Sequence, residues 1–226
     1  MRAGRARARR LDRRQGATYR SAMARPTLAA RLAAIARQIG TEYPHLLADE
    51  ARRAAGRARD RDFGFGLTPP ATMVKLLRRV RATRRDVVVD LGSGVGQAVL
   101  AAALVCREAH GHELLQEMVQ VARRTAKALA IGNARFHAGD LRRARVGDAT
   151  VLYSYSTCFG PPLMEALGRT AARAKDGARI ITVTNPLEHP EIELISWARL
   201  PWGIPGHTRT VYFHVRRRRR RARLRA

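Results

Sequence analysis

The sequence predicts an α/β protein: a Rossmann-like, doubly wound sheet of seven strands, preceded by a helical extension and flanked by basic tails. Three observations carry this expectation. The stretch from Asp86 to Glu113 opens with the unbroken apolar run Val87-Val88-Val89, the mark of a strand buried on both faces. That run turns through Asp90-Leu91-Gly92-Ser93-Gly94-Val95-Gly96 into an apolar helical pattern, and a second short strand then ends on an acid, Glu113. Downstream, apolar segments of strand length alternate with segments of helical period, the pattern of a wound sheet. With 226 residues the chain can bury one good core, and no apolar run approaches the ~20 residues of a membrane span.

Composition narrows the setting. The formal charge of +26 is concentrated at the ends: residues 1–25 and residues 216–226 each carry +8, which leaves +10 between them. Such arms fit an anionic partner such as nucleic acid, held by counterion release, and equally fit solvated tails. Only Lys75, Lys127 and Lys175 are lysines, a bias that a GC-rich genome also produces. Cys106 and Cys158 lack metal-ligand spacing, so no metal site is expected and unpaired thiols in a reducing, cytoplasmic compartment are the plain reading.

Taken in order, residues 1–26 form an Arg-rich arm without core periodicity, expected to be disordered. It lacks the apolar h-region of a secretory signal, while an organellar transit peptide or an over-extended start would share its make-up. Residues 27–62 read as a helical extension. Thr27 is placed to cap a helix from Leu28 to Ile39, and a second helical stretch, Pro44 to Arg59, is broken by Gly56. The extension is expected to cover one end of the sheet. Residues 63–215 hold the main domain, beginning with the loop Phe63-Gly64-Phe65-Gly66-Leu67-Thr68-Pro69-Pro70 and a helix from Pro70 to Val80. After the first strand come helices from Gln97 to Arg107 and from Leu114 to Leu129, then a third strand, Arg135 to Asp140. Thr150–Tyr155 is the fourth strand, Pro161 and Pro162 start the next helix, and Arg179–Thr184 is the fifth strand, closed by Asn185-Pro186. Ile192–Trp197 and Thr208–Val215 read as an antiparallel pair joined through Pro201, Gly203, Pro205 and Gly206. Residues 216–226 are the second basic tail.

The chemistry is read from the first turn. Glu113 lies 21 residues beyond Gly92, where a carboxylate accepts from the hydroxyls of a ribose. Dinucleotide sites use G-x-G-x-x-G to seat a pyrophosphate; here the spacing is G-x-G-x-G with Asp90 before it. An acid at that position suits an amino group, which S-adenosylmethionine carries and a phosphate lacks. The pattern resembles the first motif of class I S-adenosylmethionine-dependent methyltransferases. That resemblance puts Asp140, after the third strand, beside the adenine.

A closer resemblance rests on the order of several motifs. Phe65-Gly66-Leu67-Thr68, then Val89-Asp90-Leu91-Gly92-Ser93-Gly94-Val95-Gly96-Gln97, Cys158-Phe159-Gly160-Pro161 and Val211-Tyr212-Phe213-His214-Val215 are similar to segments of the histone-lysine methyltransferases of the disruptor-of-telomeric-silencing type. The resemblance covers about Phe63 to Val215, and short prokaryotic relatives of that fold methylate lysines on other proteins. It implies transfer of a methyl group from S-adenosylmethionine to a lysine nitrogen of a protein substrate. Phe65, Gly66, Thr68, Asp90, Gly92, Ser93, Gly94, Gly96 and Gln97 would hold the methionine end and the turn, Glu113 the ribose and Asp140 the adenine. Phe159 and Tyr212 would wall the lysine channel. Tyr155 and Asn185 complete the candidate catalytic set, at the ends of the strands where α/β folds keep their chemistry. Two departures stand out: the family's Glu in the aromatic-glycine loop is Leu67, and its asparagine pair is Tyr155-Ser156.

Other readings compete. The Arg arms suit a nucleic-acid methyltransferase, but the motif that holds a flipped base after the fourth strand is replaced by Phe159-Gly160-Pro161-Pro162-Leu163, and Asn185-Pro186 follows the fifth strand. A small-molecule enzyme would line its pocket with Tyr155, Trp197 and Trp202. A non-catalytic nucleic-acid-binding protein would have no use for Asp90, Glu113 and Asp140 together. The acceptor and the oligomeric state are not legible from sequence.

Overall fold

The computed structural model describes residues 26–42, 44–54, 56 and 66–217; expectations made for residues 1–25, 57–65 and 218–226 lie outside these. The chain divides into two units, Met1–Arg31 and Leu32–Ala226. In the first, the described part is the entry of helix α1 (Leu28–Gly40), where Thr27 Oγ1 accepts the N–H of Ala30 at 3.2 Å, the cap expected from sequence.

The second unit holds everything else. After α2 (Pro44–Ala54) and α3 (Pro70–Arg79) come β1 (Val87–Leu91), α4 (Gln97–Ala103), β2 (Glu108–Glu113), α5 (Gln116–Ala128), β3 (Ala134–Ala138) and β4 (Val151–Ser154). Helix α6 (Pro161–Ala171), β5 (Arg179–Val183), β6 (Ile192–Pro201) and β7 (Thr208–Arg216) complete the unit. The seven strands lie in the order β3-β2-β1-β4-β5-β7-β6. The first five are parallel, and β7 runs antiparallel to both of its neighbours. This is the doubly wound sheet that the sequence predicts. The winding reverses between β1 and β4, and ligands of such sheets bind in the crevice at the carboxyl ends of strands flanking that reversal.

Every residue of β1 is buried, as its apolar run requires. Leu167 and Ala171 of α6 pack on Val89, Leu91, Leu152 and Ile180, while α3, α4 and α5 serve the opposite face, with Arg79 over the ring of Phe213 and Ala122 against the glycine turn. At the amino end of β1, Asp86 ties three elements together. It accepts from Thr83 N at 2.6 Å and Thr150 Oγ1 at 2.8 Å, and it pairs with Arg179 of β5. Burial alone would raise its pKa; the hydroxyls, the Thr83 amide and the guanidinium outweigh burial and hold it below the usual carboxylate value.

The structure corrects three expectations. Helix α4 stops at Ala103 rather than Arg107, because Arg107 N–H donates to Asp86 and is committed to starting β2. Strand β6 runs four residues beyond Trp197 through Pro201, which is tolerated because β6 is the edge strand and one missing donor breaks no ladder bond on the solvent side. Finally, Arg216 belongs to β7 and not to the tail: it lies between Asp176 and Glu191 at 3.6 Å each and donates to the carbonyl of Ala172.

Candidate active site

The turn between β1 and α4 is held open for a ligand by its backbone. Gly92, Gly94 and Gly96 have φ of 87°, 53° and 79°, the left-handed region that side chains resist. At Gly96 a Cβ would also come within 2.4 Å of Phe136 and 2.8 Å of Ala122, so close packing as well as conformation fixes that glycine. The amides of Gly92 and Ser93 donate to the carbonyl of His112 at 2.9 and 3.1 Å, which pins the turn to the end of β2.

Two carboxylates meet there. Glu113, at the end of β2, accepts from Gly94 N at 2.8 Å on one oxygen and from Leu115 N at 3.0 Å on the other. Burial pushes its pKa up, and the amides of Leu115, Gly94 and Leu114 pull back against it. The carboxylate keeps acceptor capacity for a hydroxyl donor. Asp90, the last polar residue of β1, is 3% exposed, and its Oδ1 has no partner. Burial, with Glu113 nearby, drives its pKa well above the usual value. A buried carboxylate oxygen left unpaired costs free energy unless a cation meets it. The hydroxyl of Ser93 in the same turn is likewise buried and unpartnered. These groups fit S-adenosylmethionine: Asp90 would meet a cationic amino group, Glu113 a ribose, and the three glycines of the turn would let the backbone approach the ligand closely.

A second set of contacts closes the turn from above. Gln97, at the start of α4, donates its amide to the carbonyl of Thr68 at 3.0 Å, and Thr68 Oγ1 meets the hydroxyl of Tyr153 at 2.5 Å. Tyr153 is wholly buried, and burial keeps its phenol far above its normal pKa, hence neutral. The segment 66–69 is also clasped by the β6–β7 turn. Trp202 Nε1 donates to the carbonyl of Leu67 at 3.1 Å, and a Cβ on Gly203 would lie 2.6 Å from Pro69. The ring of Tyr155 stacks on Trp202 at 5.5 Å and lies so close to Gly66 that a Cβ there would be 2.1 Å from it. Arg209 donates to the Tyr155 hydroxyl at 3.1 Å. Phe65 lies outside the described residues.

On the other face of the sheet, Phe159 follows β4 and leans over the donor turn: a Cβ on Gly92 would be 3.2 Å from the tip of its ring. Tyr212 stands on the same face two strands away, paired in register with Thr182 of β5, which in turn faces Ser154 of β4. Two strand spacings, on the order of 10 Å, therefore separate Tyr212 from the end of β4. Asn185 donates its amide to the carbonyl of Ser156 at 2.9 Å while its own carbonyl accepts from Thr182 at 2.7 Å, so it staples the ends of β4 and β5 together. Asp140 is engaged as well. It caps the short turn Leu141–Arg143, accepting from the amide of Arg142 at 2.8 Å and from its guanidinium at 2.7 Å, and Arg142 holds its pKa below the usual value.

Sequence reasoning did not single out Tyr153 or Arg209, and it considered Trp202 only for a different substrate class. A signal existed for Trp202, an aromatic in a Gly/Pro-rich turn. None existed for Tyr153, which reads as ordinary strand core. Among the described residues no cluster of His, Cys, Asp or Glu could hold a metal ion, and no helix is long and apolar enough to cross a membrane.

The fold and the glycine turn are those of a class I S-adenosylmethionine-dependent methyltransferase. Solved structures agree on the fold: an RNA methyltransferase from Salinibacter ruber, in complex with S-adenosyl-L-homocysteine, superposes with a TM-score of 0.57 at 23% identity, covering 71% of this chain and all of that one. A geranyl diphosphate C-methyltransferase from Streptomyces coelicolor does so with 0.53 at 14%, covering 66% and 78%. Within that class, residues 58–197 match the family model "Histone methylation protein DOT1", and the chain belongs to that family. Curated relatives are the ATP synthase C-subunit lysine N-methyltransferases of Rattus norvegicus, 33% identical over 120 residues, and Homo sapiens, 35% identical over 120 residues. The match covers 52% of this chain in both cases, and the chain spans about half the length of these relatives (52% and 48%).

Proposed function

We propose that the chain transfers a methyl group from S-adenosylmethionine to the side-chain nitrogen of a lysine in a protein substrate. The observation that carries this reading is the ring of Phe159 lying against Gly92, which joins an apolar acceptor wall to the donor turn. Membership of the DOT1 family and the lysine specificity in the names of the curated relatives support the choice of acceptor. The cofactor supplies, when bound, a methyl group on a positively charged sulfur.

The chain's own residues do the rest. Asp90 takes the amino group, the turn Gly92–Gly96 admits the methionine end, and Glu113 orients the ribose. Phe159 and Tyr212 exclude water from the approach. An ammonium of pKa about 10.4 must shed its proton before its nitrogen can attack, and desolvation between apolar walls favours the neutral amine. Holding that amine toward the methyl group of a bound cofactor would provide much of the acceleration by positioning. Tyr155 and Asn185 act in this reading as positioning residues, Tyr155 by bracing the segment 66–69 and Asn185 by fixing the end of β4 before Phe159. Asp140 would reach adenine only by sharing its carboxylate with Arg142.

The test incubates the full chain with methyl-labelled S-adenosylmethionine and a lysate of source cells, then divides the product between protease and nuclease. Label released only by protease, and recovered as methyl-lysine, is the expected result. Release only by nuclease would transfer the assignment to nucleic acid. The ATP synthase protein that the names of the relatives give as their acceptor is the first purified substrate to try.

A further inference from the structure

Six large apolar side chains are exposed among the described residues, and four of them, Leu194, Ile195, Trp197 and Ile204, lie on the β6–β7 hairpin. Their arrangement depends on a break in register. Leu194 pairs with His214, Ser196 with Phe213 and Trp197 with Tyr212, so three steps along β6 match two along β7, and Ile195 is the extra residue of a β-bulge. In a regular strand, residues three apart point to opposite faces. The bulge instead puts Leu194 and Trp197 on one face, the face of Tyr212 and His214. Leu194 is 47% exposed and Trp197 61%, so neither is fixed there by the core.

This face is continuous with the candidate acceptor wall, since Trp197 sits directly beside Tyr212 on the neighbouring strand. The nearby charges are already engaged: Glu193 with Arg217 at 3.1 Å, and Arg199 with the hydroxyl of Thr208 at 3.0 Å. An apolar surface is therefore offered beside the candidate acceptor wall, with Glu193 paired and the guanidinium of Arg199 tied back to Thr208. We propose that the Leu194–Trp197 step is a docking platform for the acceptor protein, taking an aliphatic side chain that flanks the methylated lysine. The inference rests on the lysine reading above and adds the substrate class: lysines in an apolar sequence context, bound through the bulged edge strand.

Two synthetic peptides test it, each with a single central lysine, one flanked by leucine and one by serine, assayed with the full chain under saturating S-adenosylmethionine. Wild type is expected to show a KM about tenfold lower for the leucine peptide, the scale of one apolar anchor at an interface. Trp197→Ser and Leu194→Ser should each erase that preference by raising the leucine-peptide KM. The kcat, the cofactor affinity and the serine-peptide KM should stay unchanged, a split that general unfolding would not produce. Ile204→Ser, an equally exposed residue at the turn, should keep the preference. Equal KM values for both peptides in wild type, or a preference that survives both variants, overturns the inference while leaving lysine methylation standing. If sedimentation shows a dimer that Trp197→Ser dissociates without altering peptide KM, the platform belongs to a second copy and the inference is overturned. Methylation of neither peptide also overturns it, and the lysate assay then decides separately whether the lysine reading falls too.

Discussion

At the scale of single residues, Asp90 is where the proposed cofactor binding is most directly tested. Its burial and raised pKa mean that the folded protein resists ionising it, so the apo state gains nothing from the charge. Between the ordinary value of 3.8 and the raised folded value, the native state binds more protons than the unfolded chain, and stability falls as pH rises through that window. Asp90→Asn removes the penalty. Calorimetry is expected to give a variant that melts higher than wild type without ligand, while titration with S-adenosylmethionine shows affinity lower by about a hundredfold, the cost of a lost charge-assisted bond. Wild-type affinity should decline as pH drops through the raised pKa, and the variant should lack that decline. Gly92 separates two further effects. Alanine there costs about 1–2 kcal/mol for the left-handed backbone and meets Phe159 at 3.2 Å. The expected outcome is a modest loss of stability with a larger loss of kcat, because the ring over the donor turn is displaced; unchanged kcat would remove Phe159 from the acceptor wall.

At the scale of elements, the β6–β7 hairpin does two jobs. Its bulged strand offers apolar side chains outward, while its turn reaches over to hold the segment 66–69 through Trp202 and Gly203. That segment is in turn bonded to Gln97 of α4 and Tyr153 of β4, so hairpin, loop, α4 and β4 form one connected frame around the donor turn. Trp202→Phe keeps an aromatic ring, though a smaller one, and loses the N–H, leaving the carbonyl of Leu67 without its donor. The direct cost is on the order of 1 kcal/mol. Hydrogen exchange at 66–69 should accelerate and the KM for cofactor should rise, with the exchange of β1 and β4 amides unaltered. Faster exchange across the whole sheet would instead mean that the clasp is part of the global fold.

For the molecule as a whole, two buried histidines couple stability to acid. Burial lowers His112 to about 4, with His137 and His110 adding repulsion, and burial lowers His214 to about 4. Below 6.5 the unfolded chain binds protons that these two imidazoles refuse, so stability is present above that value and is lost as pH falls from 6.5 toward 4. A denaturant titration series over that range should show the loss, and His112→Asn should flatten it. Constancy in the wild type would mean that other groups compensate. Both basic arms can be tested at the same scale, provided the second is cut after Arg217. Arg216 is a strand residue with two acidic neighbours, and Arg217 pairs with Glu193, so a cut at 216 would damage the sheet. If the arms bind a polyanionic partner, removing 1–25 and 218–226 lowers the salt dependence of that binding.

By itself the sequence determined the wound sheet, the order of its elements, the donor turn and the two acids around it. These features are local: a strand buried on both faces is a run of valines, a turn that approaches a ligand is a spacing of glycines, and an acid about 20 residues on must fall at the next strand end. Only the tertiary structure decided the rest. The clasp joins Trp202 to Leu67 across 135 residues, and Tyr155 becomes a brace because Gly66, Trp202 and Arg209 converge on it from three segments. The bulge at Ile195 is visible only once β7 fixes the register, and that α2 packs beside α5 is likewise decided by a meeting of segments far apart in the chain. Local pattern records how a segment must curl and which side it buries. Which distant segment it then meets is set by packing and pairing energies that no single stretch of the chain contains.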